Sequence, residues 1–356
     1  MTALLLILGL IALLLGAEAL VRGASRLAIA TGLSPLVIGL TVVAFGTSAP
    51  ELAVGIDAVH RGAPGIAIGN IVGSNITNVL LILGISALVT PLVVSRQLVW
   101  LDVPVMVGSS MLVFALALDG DISRLEGGAL AIAAVVYVTW LIRLARREAA
   151  EADDAPPPER GRWSWAIDIA MVVGGLALLV LGARWLVQSA VTVAEALGLT
   201  ELVIGLTVIA IGTSLPEIAT SIMAAVRGQR DLAVGNIVGS NVLNLLLVLG
   251  LTAVFSPQGI PVAMAAINFD FPVMLAAAVA CLPIFFTGHC IQRWEGAVFL
   301  GYYIAYTAYL LLDAAGHDAL PAYSWVMVQF VMPLTALTLG IVLMRALKHR
   351  REGMNG

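Results

Sequence analysis

Charged residues and cysteine are scarce in this sequence of 356 residues. Only 11% of the residues are charged, whereas 60% are hydrophobic and the mean hydropathy is +1.03. Soluble domains carry about 25% charged residues, so this composition excludes a soluble globular domain and a disordered chain. The net charge is only −4, which gives no sign of a nucleic-acid partner. Two cysteines, Cys281 and Cys290, imply neither a disulfide framework nor a thiolate metal site.

Long apolar runs dominate the chain instead. A bilayer-spanning helix needs about 20 apolar residues, and the runs bounded by charged or turn residues predict an all-α polytopic membrane protein with about 11 transmembrane helices. The N-terminal run has no preceding basic residue, so we interpret it as a retained span and not as a signal peptide. The predicted spans are residues 2–22, 34–59, 66–90, 98–118, 125–145, 166–190, 201–226, 232–255, 268–288, 294–312 and 322–344.

The basic residues predict the orientation of these spans. Cytoplasmic loops hold the excess of Lys and Arg. With the N-terminus outside, 15 of the 18 basic residues lie on the cytoplasmic side, only Arg61 and Arg124 lie outside, and Arg184 lies within the sixth span. We therefore expect an integral protein of the inner or plasma membrane, with its N-terminus outside and its C-terminus in the cytoplasm.

One polar, proline-containing segment divides the chain. Its composition cannot bury apolar surface, so it is typical of a flexible linker. We predict a first membrane repeat of helices 1–5 over residues 1–145 and a cytoplasmic linker over 146–163. A second, inverted repeat of helices 6–10 follows over 164–313, and an extra C-terminal helix with a basic tail follows over 314–356.

Two apolar stretches are repeated within the chain. LVIGLTVVAFGTSAPELA (36–53) matches LVIGLTVIAIGTSLPEIA (202–219) at 14 of 18 positions, at an offset of 166. AIGNIVGSNITNVLLILG (67–84) matches AVGNIVGSNVLNLLLVLG (233–250) at 13 of 18 positions, at the same offset. Five spans separate the copies, so they cross the membrane in opposite senses. Inverted repeats with a midplane site are typical of secondary transporters.

Glu51 and Glu217 occupy matching places within two predicted spans. An intramembrane carboxylate usually lines a pathway or pairs with a partner, and Arg184, the one clearly intramembrane basic residue, cannot neutralise both. Pro50 and Pro216 precede them, and proline interrupts the hydrogen bonding of a helix. We therefore predict a kink or break in each span that frees backbone carbonyls beside the carboxylate.

Hydroxyl and amide side chains accompany the two glutamates. Thr47 and Thr213 lie four residues before them, which is the spacing of one helical face. Ser74 shares a face with Asn78, and Ser240 shares one with Asn244. Hard oxygen ligands of this kind suit Ca²⁺ and alkali ions, and they disfavour Zn²⁺. For Asn70, Asn75, Asn236 and Asn241, structural hydrogen bonds are favoured over ligand roles.

The motifs GTSAPE (46–51), GTSLPE (212–217) and the two copies of GNIVGSN (69–75 and 235–241) resemble the cation/calcium exchanger (CaCA) superfamily, specifically its prokaryotic sodium/calcium exchanger branch. The resemblance covers nearly the whole chain. It implies a central ion site on spans 2, 3, 7 and 8, and movement of spans 1 and 6 across the rest of the bundle. Together with Asn244, which stands where some members have an acidic residue, the candidate ligands are Glu51, Glu217, Thr47, Thr213, Ser48, Ser214, Ser74, Ser240, Asn78 and the carbonyls of Ala44 and Ala210.

These residues predict a sodium/calcium antiporter that exports Ca²⁺ in exchange for Na⁺. It would need no cofactor, and its partners would be the transported cations and the lipid bilayer, with no nucleic acid. A proton- or potassium-coupled exchanger of the same fold stays open, as does Mg²⁺ or Mn²⁺ as the transported ion. A cation channel ranks lower, because one inverted repeat within a chain suits a carrier better than a symmetric pore. The motifs contain no nucleophile–base pair, so an enzyme ranks lowest.

Overall fold

The computed structural model describes residues 2–151, 162–197, 208, 210–286, 289–338, 340 and 344. Ten of its helices are long and apolar enough to cross a membrane, and a shorter apolar helix lies where part of the seventh predicted span was expected. The remainder of that span, in residues 201–209, lies almost wholly outside the described residues. The helices are α1 (Thr2–Thr31), α2 (Pro35–His60), α3 (Pro64–Val89), α4 (Leu98–Ala117), α5 (Arg124–Glu151), α6 (Arg162–Ala196), α7 (Leu215–Val226), α8 (Arg230–Phe255), α9 (Ala266–Phe286), α10 (Arg293–Ala314) and α11 (Leu320–Thr338).

Three helices extend beyond their predicted ends. α1 continues past residue 22 to Thr31, and α6 has 35 residues against the 25 predicted over 166–190. α5 continues to Glu151, so the first residues of the predicted linker 146–163 are helical. Ala, Arg and Glu dominate that stretch and are strong helix formers, so the helix continues after the apolar run has ended. The centre of the linker lies outside the described residues.

Two short antiparallel ladders join the halves of the chain. Strand β1 (Leu92–Val93) pairs with β4 (Cys290–Ile291), and β2 (Asp121–Ile122) pairs with β3 (Ile260–Pro261). β1 lies between α3 and α4, whereas β4 lies between α9 and α10. Strands that pair lie on one side of the membrane, so an even number of crossings separates them. Six crossings satisfy this condition if the short helix α7 belongs to a seventh spanning segment.

Helices α1 and α6 pack against each other along a row of glycines. A β-carbon placed on Gly9 would meet the carbonyl oxygen of Gly182 at 3.0 Å, and one on Gly16 would meet that of Gly175 at 2.8 Å. Glycine allows this approach of two backbones, as at other membrane helix interfaces. The outward residues of these helices are large and apolar, including Leu15 and Val173, as a lipid-facing surface requires. α1 and α6 therefore form a closely packed pair.

Helices α3 and α8 form the centre of the bundle. The apolar side chains Ile71, Ile76 and Ile237 are fully buried in them. The C-terminal helix α11 has no buried side chain in its described part and contacts α10 through a hydrogen bond from Tyr302 to Thr335 (2.7 Å). It is therefore peripheral to the bundle.

Candidate functional site

The two glutamates lie directly after helix breaks. In α2 the helix is interrupted at Ser48 (φ −81°, ψ 0°) and resumes at Ala49, so Glu51 lies in the first turn of the second half. In the other half of the chain, Ser214 (φ −87°, ψ 4°) precedes α7, and Glu217 lies in its first turn. The predicted kinks are thus confirmed. The positive end of a helix dipole favours a carboxylate in the first turn, so each break places a carboxylate where the backbone stabilises its charge.

The carboxyl groups of Glu51 and Glu217 are both buried and have no hydrogen-bond partners. Glu51 is 0% exposed and Glu217 is 1% exposed, and none of their four carboxylate oxygens has a hydrogen-bond partner. The two carboxyl groups interact electrostatically, and the hydroxyls of Thr47 and Ser48 lie beside Glu217 without meeting hydrogen-bond geometry. None of the ion pairs found among the described residues includes either glutamate. The pair therefore forms a buried centre of negative charge.

Thr47 lies one residue before the break at Ser48. Its hydroxyl donates to Asn236 Oδ1 in α8 (3.1 Å) and lies 3.5 Å from the hydroxyl of Ser240. The threonine therefore links the break in α2 to the central helix of the other half.

The other half of the chain repeats this arrangement. Thr213 donates to Asn70 Oδ1 in α3, also at 3.1 Å, and both residues are related to the first pair by the offset of 166. The two asparagines differ in their second contact, since the amide of Asn236 donates to Ser221 and that of Asn70 donates to the carbonyl of Glu51. Each helix break is thus tied to the central helix of the opposite half.

Further hydroxyl and amide groups of α3 and α8 line the same centre. Ser214 donates to Ser74 (3.3 Å), and the amide of Asn78 donates to Asn241 (3.1 Å). Asn78 Oδ1 has no partner, and Asn244 is fully buried with neither side-chain atom partnered. These unpartnered oxygens are free to bind a cation, because they have no competing donor in the described structure.

The two predicted backbone ligands are the carbonyls of Ala44 and Ala210. The Ala44 carbonyl accepts the amide of Ser48 (3.0 Å). The hydroxyl of Thr47 lies 3.4 Å from the same oxygen, but its one proton is shared with the closer Asn236 Oδ1 at 3.1 Å, so an ion would compete only with this weaker contact. Ala210 begins a single helical turn, Ala210–Gly212, just before the second break. Both residues therefore lie one turn before a break.

Sequence reasoning missed the buried hydroxyls of Thr220 and Ser221. Both lie in α7, one turn after Glu217, and are 0% exposed. The other copy of the repeat has Val54 and Gly55 at the matching positions, so comparison of the copies alone does not select them. Their helical spacing from Glu217 is the signal that could have found them. Thr220 Oγ1 has no partner.

Two aspartates, Asp102 and Asp270, form hydrogen bonds with tyrosines of neighbouring helices. Tyr137 donates to Asp102 (3.1 Å), and Tyr306 donates to Asp270 (2.8 Å). Each pair joins neighbouring helices of one half, α4 with α5 and α9 with α10.

The assembled centre offers oxygen ligands and no soft ones. It combines two carboxylates with hydroxyl and amide oxygens. Among the described residues, no group of three His, Cys, Asp or Glu side chains could hold a metal ion. Any bound cation would therefore depend on neutral oxygens besides the two glutamates. Ca²⁺, with six to eight oxygen ligands, and Na⁺ suit such a set.

Comparison with known proteins agrees with this chemistry. The family model described as sodium/calcium exchanger protein matches residues 1–143 and 167–312. The chain is 36% identical to the sodium/calcium exchanger MaX1 of Methanosarcina acetivorans over 346 residues, covering 86% of this chain and 97% of that protein. It is 37% identical to the putative antiporter CaxA of Alkalimonas amylolytica over 318 residues, with the same coverage. A solved structure of the sodium-calcium exchanger NCX_Mj, soaked with 10 mM Na⁺ and zero Ca²⁺, has a TM-score of 0.77 and 31% identity, covering 86% of this chain and 98% of that one.

Proposed function

Because the chain belongs to the sodium/calcium exchanger protein family, we propose that it exports Ca²⁺ from the cell in exchange for Na⁺ at the Glu51–Glu217 centre. The ions would bind in turn to one site that opens to one side of the membrane at a time. In this proposal Glu51, Glu217, Ser48, Asn78 and Asn244 supply the unpartnered oxygens. The remaining candidates are Thr47, Thr213, Ser74, Ser214, Ser240 and the carbonyls of Ala44 and Ala210.

The observation that carries the proposal is the burial of four unpartnered carboxylate oxygens. A buried charge without a partner is costly by several kcal/mol, and no described basic side chain offsets the charge of Glu51 or Glu217. A divalent ion between them would neutralise both carboxylates, and monovalent ions could replace it. Competition between Ca²⁺ and Na⁺ for the same pair is a physical basis for exchange.

In the proposed mechanism, helices α1 and α6 are the part of the protein that moves. Their glycine row packs them against each other, and both present apolar surface to lipid. The ligand-bearing helices α3 and α8 are by contrast the most buried. A rigid pair that slides over a fixed centre would expose the glutamates to the two sides alternately, which is the usual form of alternating access.

Vesicle transport tests the proposal directly. Purified protein is reconstituted into liposomes loaded with Na⁺, and ⁴⁵Ca²⁺ uptake is followed after dilution into Na⁺-free buffer. We expect uptake to require the Na⁺ gradient and to fall to background in Glu51→Gln. Asp57→Asn is the matched control, because Asp57 is an exposed carboxylate of the same helix and pairs with Arg61 at 2.8 Å. Its uptake should equal that of the unmodified chain.

The same assay separates the alternatives. Uptake that ignores Na⁺ and follows a pH gradient would replace sodium coupling by proton coupling. Uptake that additionally requires K⁺ on the side from which Ca²⁺ is taken up would indicate potassium coupling. Unitary currents in planar bilayers would indicate a channel, because a carrier turns over too slowly to give them.

A further inference from the structure

Arg184 is an exposed basic residue within the membrane-spanning part of α6. No hydrogen bond or ion pair is formed by its side chain with any described residue. The nearest described carboxylates along α6, those of Asp168 and Glu195, are 16 and 11 residues away. A helix rises 1.5 Å per residue, so both lie beyond the reach of the guanidinium group. The charge of Arg184 therefore calls for a partner from outside the described chain.

The depth of Arg184 follows from the packing of α6 against α1. Gly182 of α6 lies opposite Gly9 of α1, and Arg184 is two residues further along α6. The end of α1 at Thr2 is seven residues beyond Gly9, so Arg184 lies about 8 Å below that end. A long arginine side chain can extend from this depth to the lipid headgroups. Arg184 is thus placed where its charge meets the interface.

An apolar groove begins at Arg184 and runs deeper into the membrane. It has a volume of about 780 Å³ and lies between α2 and α6. Val42, Phe45 and Gly46 line it on α2, and Leu176 and Val180 line it on α6. The groove is open to the lipid side, and Phe45 is 55% exposed. A cation above an open apolar groove matches a molecule with an anionic head and a hydrocarbon tail.

We propose that this groove binds an anionic phospholipid, with the phosphate at Arg184 and an acyl chain along α2 and α6. The groove borders Gly46, two residues before the break at Ser48, and α6 lines its other wall. A bound lipid would therefore contact both an ion-site helix and one of the closely packed pair. Lipid binding can be measured without ion transport, so this proposal can be tested independently of which ion is transported.

The inverted repeat shows that the site belongs to one half only. Residues 9–21 (GLIALLLGAEALV) match 175–187 (GLALLVLGARWLV) at the offset of 166, which places Glu18 at the position of Arg184. Glu18 carries the opposite charge and is paired with Arg22 and Arg227 within the chain. The matching position of the first half therefore cannot attract an anionic lipid. The proposed site should bind one lipid per chain.

Native mass spectrometry of the full chain with added lipid tests this inference. We expect phosphatidylglycerol to bind about fivefold more tightly than phosphatidylcholine, as one arginine near a headgroup contributes. Arg184→Gln should abolish that preference, and Arg184→Lys should retain it. The control Arg61→Gln removes an exposed arginine on the same predicted side and should leave it unchanged. Melting temperatures of all variants show whether each one is folded.

A second pair of variants tests the groove itself. Ala177 is an exposed residue of the groove, and Ala177→Trp would fill it, so binding of both lipids should weaken. Val173→Trp adds the same bulk to an exposed position of α6 outside the groove and should have no effect. Retained preference for phosphatidylglycerol in Arg184→Gln, or unchanged binding in Ala177→Trp, would overturn the proposal. If sn-glycerol 3-phosphate bound as tightly as phosphatidylglycerol, the groove would not contribute to the affinity for the lipid.

Discussion

Arg227, just after α7, donates to Glu18 of α1 through its Nε at 2.9 Å and so ties the end of one helix to the middle of another. The offset of 166 relates Glu18 to Arg184 and Arg227 to Arg61. Both of those residues are basic, so the matching contact on the other side of the repeat would be repulsive. Arg61 pairs instead with Asp57 in its own helix. The two halves of the repeat therefore differ in one ionic contact: Arg227 binds Glu18 of α1, whereas Arg61 does not bind Arg184 of α6.

Breaking this contact should loosen α1. The pair is partly exposed, with 49% of the Arg227 side chain and 19% of the Glu18 side chain accessible, and such pairs contribute at most about 1 kcal/mol. We expect Arg227→Gln to raise hydrogen–deuterium exchange in peptides covering residues 20–31 by up to about fivefold. The difference should shrink in 1 M salt, because salt screens exposed charges.

Arg61→Gln provides the comparison for this experiment. It removes an exposed arginine whose partner, Asp57, lies in the same helix, so exchange in residues 20–31 should stay unchanged. Equal exchange in Arg227→Gln and the unmodified chain would show that the glycine row alone holds α1 in place.

The glycine row itself makes a sharper prediction, because adjacent glycines differ in their surroundings. A β-carbon on Gly175 would lie 2.7 Å from the backbone nitrogen of Leu20, whereas one on Gly174 meets nothing within 4 Å. Overpacking a tight interface costs about 1–3 kcal/mol, so Gly175→Ala should lower the melting temperature. Gly174→Ala should leave it unchanged or raise it, since alanine favours a helix by up to about 1 kcal/mol. Equal melting temperatures would mean that the backbones of α1 and α6 move apart at little cost.

The sequence predicted the helix breaks but not the contacts across them. Pro50 and Pro216 are local signals, and the interruptions at Ser48 and Ser214 lie where those signals placed them. The bond between Thr47 and Asn236 joins residues 189 positions apart. Its existence depends on how α2 packs on α8, which no local pattern encodes.

The ends of the helices were also not predicted by the sequence. Hydropathy locates the apolar part of α5, but the helix continues through a charged stretch to Glu151. Charged residues end a membrane span without ending a helix, because Arg and Glu are good helix formers in water. Hydropathy therefore predicted the number of long helices better than it predicted where each of them ends.

Calcium should stabilise the protein through the Glu51–Glu217 pair. A ligand that binds only the folded state adds about 2.7 kcal/mol at 100 times its dissociation constant. We expect the melting temperature in detergent to rise with Ca²⁺, and Na⁺ to reduce the Ca²⁺-dependent part by competition. Glu217→Gln should lose most of the rise, while its melting temperature without ions should equal or exceed that of the unmodified chain, because one of two repelling charges is gone. A full Ca²⁺ response in Glu217→Gln, alongside a normal response in Asp57→Asn, would place the calcium site elsewhere.

Asn244 offers a way to change the ions that accompany Ca²⁺. It lies one turn after Ser240 in α8, is fully buried, and has both side-chain polar atoms unpartnered. Asn244→Asp would add a third carboxylate beside Glu51 and Glu217 with almost no change in shape. One Ca²⁺ would then leave an uncompensated buried charge, which a proton or a monovalent cation would have to neutralise. We expect Ca²⁺ uptake by this variant, at a fixed Na⁺ gradient, to change several-fold with external K⁺ or pH.

Asn244→Leu separates the added charge from the lost amide oxygen. It adds no charge but removes one proposed ligand, so we expect weaker Ca²⁺ uptake with no new dependence on K⁺ or pH. Insensitive uptake in Asn244→Asp would show that the side chain at position 244 does not share the charge balance of the two glutamates.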